Sequence, residues 1–189
     1  MLKPVKVQED RIINGLNVTE YEQIVGAVRS EPRLAKFQFR AGNQWQDGGL
    51  NRTTITGLYG GGEEQGVGSR YFGIDAAEPP VLLGKDEAPN PAEYLLHALA
   101  ACLTSTIAYK AAARGIVVES IEGKLEGDMD ARKFLEISDA QRTGYQGIRA
   151  TFKVKANASP QEIKELAELS PIFDTVTRGT SVSLQVEKS

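Results

Sequence analysis

Cysteine and histidine are almost missing from this chain, with Cys102 and His97 the only examples. One cysteine excludes an intramolecular disulfide, and one residue of each kind falls short of the ligands that the common Cys/His zinc sites need. An excess of basic residues is missing too. Lys plus Arg number 22 against 25 Asp plus Glu, a net charge of −3, so neither a general nucleic-acid surface nor a polybasic membrane anchor is expected. Residues 1–10 hold no apolar run of the length that a secretory leader needs and carry acids where one would sit, which leads to the expectation of a cytoplasmic protein. Without export, the Asn-x-Ser/Thr sequons at Asn17, Asn51 and Asn157 read as turn chemistry rather than glycosylation sites. What is present is the make-up of a soluble globular chain: 189 residues, 41% hydrophobic and 25% charged.

The apolar pattern orders the chain as helix, three strands, long helix, two strands, helix and strand. Residues 19–29 set Ile24, Val25 and Val28 at helical spacing behind Thr19, a suitable N-cap with Glu22 as its capping-box partner. Phe37 and Phe39 give residues 34–45 a period of two, and residues 53–58 are rich in β-branched side chains. Together they predict a hairpin turning at Asp47-Gly48-Gly49, with a third strand over 70–74. Tyr59-Gly60-Gly61-Gly62 reads as a mobile loop, because no Gly-Lys-Ser/Thr follows to make a phosphate loop. Pro91 suits the first position of the longest helix, expected to run to Arg114 and stop at Gly115. That helix is apolar nearly all the way round, yet Glu93, His97, Thr104, Ser105, Thr106 and Lys110 interrupt it too often for a membrane span.

Residues 116–129 and 148–155 then read as neighbouring strands, the second with Ile148, Ala150, Phe152 and Val154 on one face. Ser159-Pro160 with Glu162 opens an amphipathic helix that points Ile163, Leu166 and Leu169 inward and ends at Pro171. Val182, Leu184 and Val186 make a closing strand. The order is α+β rather than a regular βαβ alternation. It divides into an N-terminal extension with a short helix, residues 1–30, and a single domain over 31–189.

Cys102 has two readings. Between Ala101 and Leu103 it is a small hydrophobe in a core, and as a nucleophile it needs a nearby positive charge or a helix N-terminus to form the thiolate. It lies roughly 16 Å along the helix from Pro91, beyond the turn where the dipole acts strongly. Its helical neighbours Ala98, Leu99, Ser105 and Thr106 carry no charge, and His97 is about 140° round the helix, which suits packing or an interface better than a Cys–His dyad. An activating cation must come from elsewhere in the fold. Glu93 stands in the first turn, where the dipole favours a carboxylate, but near the opposite side of the helix from Cys102.

The stretch Asn90-Pro91-Ala92-Glu93-Tyr94-Leu95-Leu96-His97-Ala98-Leu99-Ala100-Ala101-Cys102 resembles the signature of the OsmC/Ohr family of thiol-dependent peroxidases. The likeness rests on a Pro, a Glu shortly after it, an Ala/Leu-rich helix and a Cys eleven residues past the Pro. The element order over about residues 35–187 is similar as well, with the first 30 residues outside the family core. The resemblance implies an OsmC-like α+β fold: a long buried central helix, antiparallel sheets and, here, an extra N-terminal helix, in an intertwined homodimer with a pocket at the subunit interface.

It further implies that Cys102 is the peroxidatic thiol, oxidised to a sulfenic acid by an organic hydroperoxide and supported by a Glu and an Arg. Glu93 matches the Glu of one branch, while Ala92 fills the position used by another. Arg52 is the best match for the Arg, with Arg40 in reserve. The second cysteine of the two-cysteine enzymes, in a Cys-Pro step, is replaced here by Ser170-Pro171. An external thiol, small or a protein dithiol, must then resolve the sulfenic acid. The expected function is a one-cysteine antioxidant reductase of apolar hydroperoxides, with no bound cofactor, no metal, and no nucleic-acid or membrane partner. The other reading is a non-catalytic OsmC-like dimer whose pocket binds a small apolar or thiol ligand, or a redox sensor built on Cys102.

Overall fold

The computed structural model describes residues 10–188. Residues 1–9, weighed above for a leader, lie outside the described residues. The described residues form two units, one of residues 10–12 with Asn17–Leu95 and one of Ile13–Leu16 with residues 96–188.

A two-residue hairpin, β1 (Ile12–Ile13) and β2 (Leu16–Asn17), leads directly into α1 (Val18–Ser30). The cap of α1 is Asn17 rather than Thr19: the Asn17 side chain accepts the Glu20 N–H at 3.2 Å, while Thr19 is buried. Both residue types cap well, and the extended backbone at Asn17, where the hairpin ends, decides between them. A 3₁₀ turn over Pro32–Ala35 takes the place of the start of the expected strand. Phe37 and Phe39 fall outside any strand, with their rings stacked 6.1 Å apart. The true strand, β3 (Ala41–Asp47), begins later and turns at Gly48 and Gly49 into β4 (Leu50–Ile55). The glycine stretch is ordered and not a mobile loop. It forms β5 (Leu58–Gly60) and β6 (Glu63–Gln65), joined by Gly61 and Gly62 at φ +64° and +91°, the left-handed pair that a two-residue hairpin turn uses. β7 (Phe72–Ala76) then pairs with β4, giving an antiparallel sheet of order β3-β4-β7.

α2 (Pro91–Ala113) carries the chain from the first unit into the second. It closes as expected at Gly115 (φ +73°), where the Gly115 N–H bonds to the Ala112 carbonyl and the Ile116 N–H to the Ala111 carbonyl. By length and composition α2 could cross a membrane, but here its stripe of Leu99, Leu103, Ile107 and Ala111 is buried in protein. β8 (Val118–Asp128) and β9 (Gly147–Ala156) pair antiparallel as expected, setting Ile121, Gly123 and Leu125 opposite Val154, Phe152 and Ala150. α3 (Pro160–Ala167) has the full Ser159–Glu162 capping box. Its Ile163 and Leu166 join Ile107 and Ala111 in the core, with Ile121, Phe152 and Val154 packed against them.

Two expectations fail at the C-terminal end. Pro171 does not merely end a helix: it opens α4 (Pro171–Arg178), capped by the fully buried Ser170, and Leu169 between the helices is exposed. Proline lacks only an N–H that the first turn leaves unbonded anyway, so it starts a helix as readily as it stops one. No closing strand forms either. Val182, Leu184 and Val186 are more than four-fifths exposed, because period-two alternation becomes a strand only against a partner edge, and none among the described residues pairs with it.

Candidate active site

Arg52 sits in β4, and the ladder to β7 sets it directly opposite Asp75. Its Nε donates to Asp75 Oδ1 at 2.6 Å and its Nη2 to Oδ2 at 2.7 Å, a two-pronged pair. These hydrogen bonds are the main reason that the Asp75 carboxyl lies below its ordinary range and that Arg52 holds its proton still more firmly. The side chains remain 56% and 38% exposed, so the pair contributes little to stability.

The next links run from β7 to α2. Tyr94 Oη donates to the Asp75 main-chain carbonyl at 2.7 Å. Beside Tyr94, Glu93 accepts the Asn90 N–H at 2.8 Å, while the Asn90 side-chain oxygen accepts the Ala92 N–H at 2.7 Å. Asn90 and Glu93 thus build a reciprocal cap on α2, which explains a carboxylate at the third helical position in purely local terms. Asn90 also bonds to the Glu78 carboxylate.

About two and a half turns past Glu93 along α2, Cys102 is half-buried beside the buried Leu103. The Ser105 hydroxyl donates to its main-chain carbonyl at 3.2 Å. Arg52 and Glu93 belong to the first unit and Cys102 to the second. Arg40, the reserve arginine, is taken up by Glu64 in a two-pronged pair at 2.9 and 2.7 Å, with Gln38 beside it. His97 is exposed. Among the described residues no three His, Cys, Asp or Glu side chains gather as a metal site. In the second unit, a largely apolar cavity of about 490 Å³ is lined by Leu103 and Ile107 of α2, Phe152 and Val154 of β9, Ile163 of α3 and Phe173 of α4. Such a lining suits an apolar molecule.

A family model described as OsmC-like protein matches residues 84–185, more than half of the chain, including Glu93, Cys102 and Ser170 but not Arg52. The chain belongs to the OsmC-like family. Its fold is similar to that of an OsmC-like protein from Mycoplasma pneumoniae, with a TM-score of 0.56 at 18% identity over 74% of this chain and 87% of that one. It is similar also to a Psychrobacter arcticus protein described as an osmotic stress induced and detoxification response protein, with a TM-score of 0.53 at 17% identity over 71% and 85%. Comparison with curated proteins finds no match.

The sequence alone does not point to Asp75, nor to the hydroxyl role of Tyr94. Asp75 lies 23 residues from Arg52, and only the strand register brings them together. The Ser170 hydroxyl, which accepts the Phe173 N–H at 3.2 Å, was legible in principle, since Ser-Pro before an apolar run is a helix start.

Proposed function

We propose that this OsmC-like protein is a one-cysteine reductase of organic hydroperoxides, with Cys102 as nucleophile and Arg52 and Glu93 as its supporting charges. The observation that carries the proposal is the single uninterrupted helix α2 inside the family match, which carries the capped Glu93 in its first turn and the chain's one thiol about two and a half turns on. The chemistry closes without a second cysteine. The Cys102 thiolate attacks the terminal peroxide oxygen, an S–O bond forms as the O–O bond breaks, and the leaving alkoxide takes a proton to depart as alcohol. Sulfur is oxidised by two electrons and the peroxide reduced by two, leaving a sulfenic acid. A first external thiol attacks that sulfur and expels water, forming a mixed disulfide. A second thiol then releases Cys102 and carries away the external disulfide.

Ser170 in place of a resolving cysteine supports an external reductant, as is available in a reducing cytoplasm. The apolar side chains near Cys102 on α2, the buried Leu99 and Leu103, support greasy peroxides over hydrogen peroxide. Exposed Val182, Leu184 and Val186 support a homodimer as the working form. The test is turnover of cumene hydroperoxide with dithiothreitol as reductant. Wild-type protein is expected to consume peroxide and to form a dimedone adduct on Cys102, and Cys102→Ser to fall to the rate of buffer. Equal rates for the two proteins would overturn the proposal.

A further inference from the structure

An arginine that serves a thiolate must present its free N–H groups in a set direction, and a guanidinium at the end of a flexible side chain has none of its own. We propose that Asp75 is the positioning residue for Arg52: its carboxylate fixes the plane of the guanidinium, and Tyr94 ties that carboxylate's own backbone to the turn of α2 that carries Glu93. The inference rests on the peroxidase function proposed above in giving Arg52 its task.

Of the five N–H donors of Arg52, Asp75 takes one on Nε and one on Nη2. The three that it leaves, two on Nη1 and one on Nη2, share the plane that the paired edge defines, so fixing one edge aims the other. A lysine, whose ammonium is a point charge on a freely rotating stem, could keep the attraction to Asp75 but not the aim. Asp75 is itself held from two sides. The ladder sets it opposite Arg52, and the Tyr94 hydroxyl grips its carbonyl at 2.7 Å, one residue after Glu93 in the same turn. Both charges assigned to the peroxide chemistry are thereby referenced to one frame of β4, β7 and the start of α2.

The exposure of the pair sharpens the point. An ion pair this open to water stabilises a fold only slightly, so losing it should disturb the chemistry without disturbing the protein. The pair also persists where enzymes work. Because the Asp75 carboxyl is lowered by Arg52, its charged form, and with it the pairing, is present throughout the neutral range and is lost only as pH falls through that depressed value.

Turnover and the 15N-detected Nε–H of Arg52 are compared in wild type, Asp75→Asn, Arg52→Ala, the double variant and Tyr94→Phe. Asp75→Asn should lower kcat/KM about tenfold with an unchanged thermal midpoint, and Arg52→Ala about a hundredfold. The double variant should match Arg52→Ala alone, because Asp75 acts only through Arg52. The Nε–H signal should be resolved and slow to exchange in wild type and in Tyr94→Phe, and averaged in Asp75→Asn. Tyr94→Phe should still lose rate, as the frame is cut at α2.

A wild-type Nε–H that is already averaged would overturn the holding of Arg52. An Asp75→Asn variant as fast as wild type, or a further tenfold loss in the double variant, would overturn the positioning role while Arg52→Ala still reports a peroxidase. If Arg52→Ala and Cys102→Ser both keep full rate, the peroxidase function itself fails and takes the role of Asp75 with it.

Discussion

Asn14 illustrates how much one side chain can organise. It stands in the left-handed region at φ +52°, at the tip of the β1–β2 hairpin. Its Nδ2 donates to the carbonyls of Ala108 and Ile116 at 3.2 and 3.0 Å, and its Oδ1 accepts the Val118 N–H at 2.8 Å. Three main-chain groups around the corner between α2 and β8 are thus satisfied by one amide. Asn14→Ala removes those bonds and puts a Cβ residue without a local hydrogen-bonding side chain in a conformation that alanine resists, so it should destabilise by about 2–3 kcal/mol. Asn14→Gly keeps the backbone at ease and should cost about 1 kcal/mol less. Urea midpoints of the two variants measure both numbers, and equal losses would show that the backbone conformation contributes nothing.

The β8–β9 hairpin works through complementary sizes. Its inward face alternates Ile121, Gly123 and Leu125 against Val154, Phe152 and Ala150, while the outer face pairs Arg149 with Asp128 and Lys155 with Glu119. Gly123 leaves room for the Phe152 ring, since a Cβ there would lie 2.6 Å from a ring carbon. Phe152 packs against the core and also lines the apolar cavity, so relieving the contact means shifting the ring out of its packing. Gly123→Ala should therefore destabilise the second unit by about 1–3 kcal/mol, although alanine suits a strand better than glycine. Equilibrium unfolding decides it: a stabilised variant would mean that the ring can swing aside. The helices follow a different logic. α3 and α4 each begin at a serine whose hydroxyl accepts an N–H of the first turn, so both starts depend on chemistry within four residues.

For the molecule as a whole, the residues assigned to peroxide chemistry come from two units, and apolar side chains remain uncovered in both. Phe39 at 74% and Leu83 at 97% exposure in the first unit, like Leu184 at 86% in the second, are costly to leave in water. The proposed homodimer predicts that sedimentation equilibrium finds a particle of twice the 20.5 kDa chain mass. A chain-mass particle at micromolar concentration would refute it. Most of the family-matched region is legible in the sequence: α2 from Pro91 and Gly115, α3 from Ser159 and Glu162, and the paired strands from their alternation. The first unit is less legible. There Phe37 and Phe39 imitate a strand's period by stacking on each other, and the glycines that suggest a loose loop supply the turn of β5 and β6.

The division has a physical cause. Caps, helix stops and side-chain periodicity are decided among residues within a few positions of one another, so the chain itself specified the long helix, the lone thiol upon it and the absence of a second cysteine. Pairings between distant segments depend on which strand edges meet, and an unpaired residue looks the same in sequence whichever edge it will find. Only the folded chain could bring Asp75 to Arg52 across 23 residues, or Asn14 to Val118 across 104, and only it left the alternating Val182, Leu184 and Val186 without a strand to join.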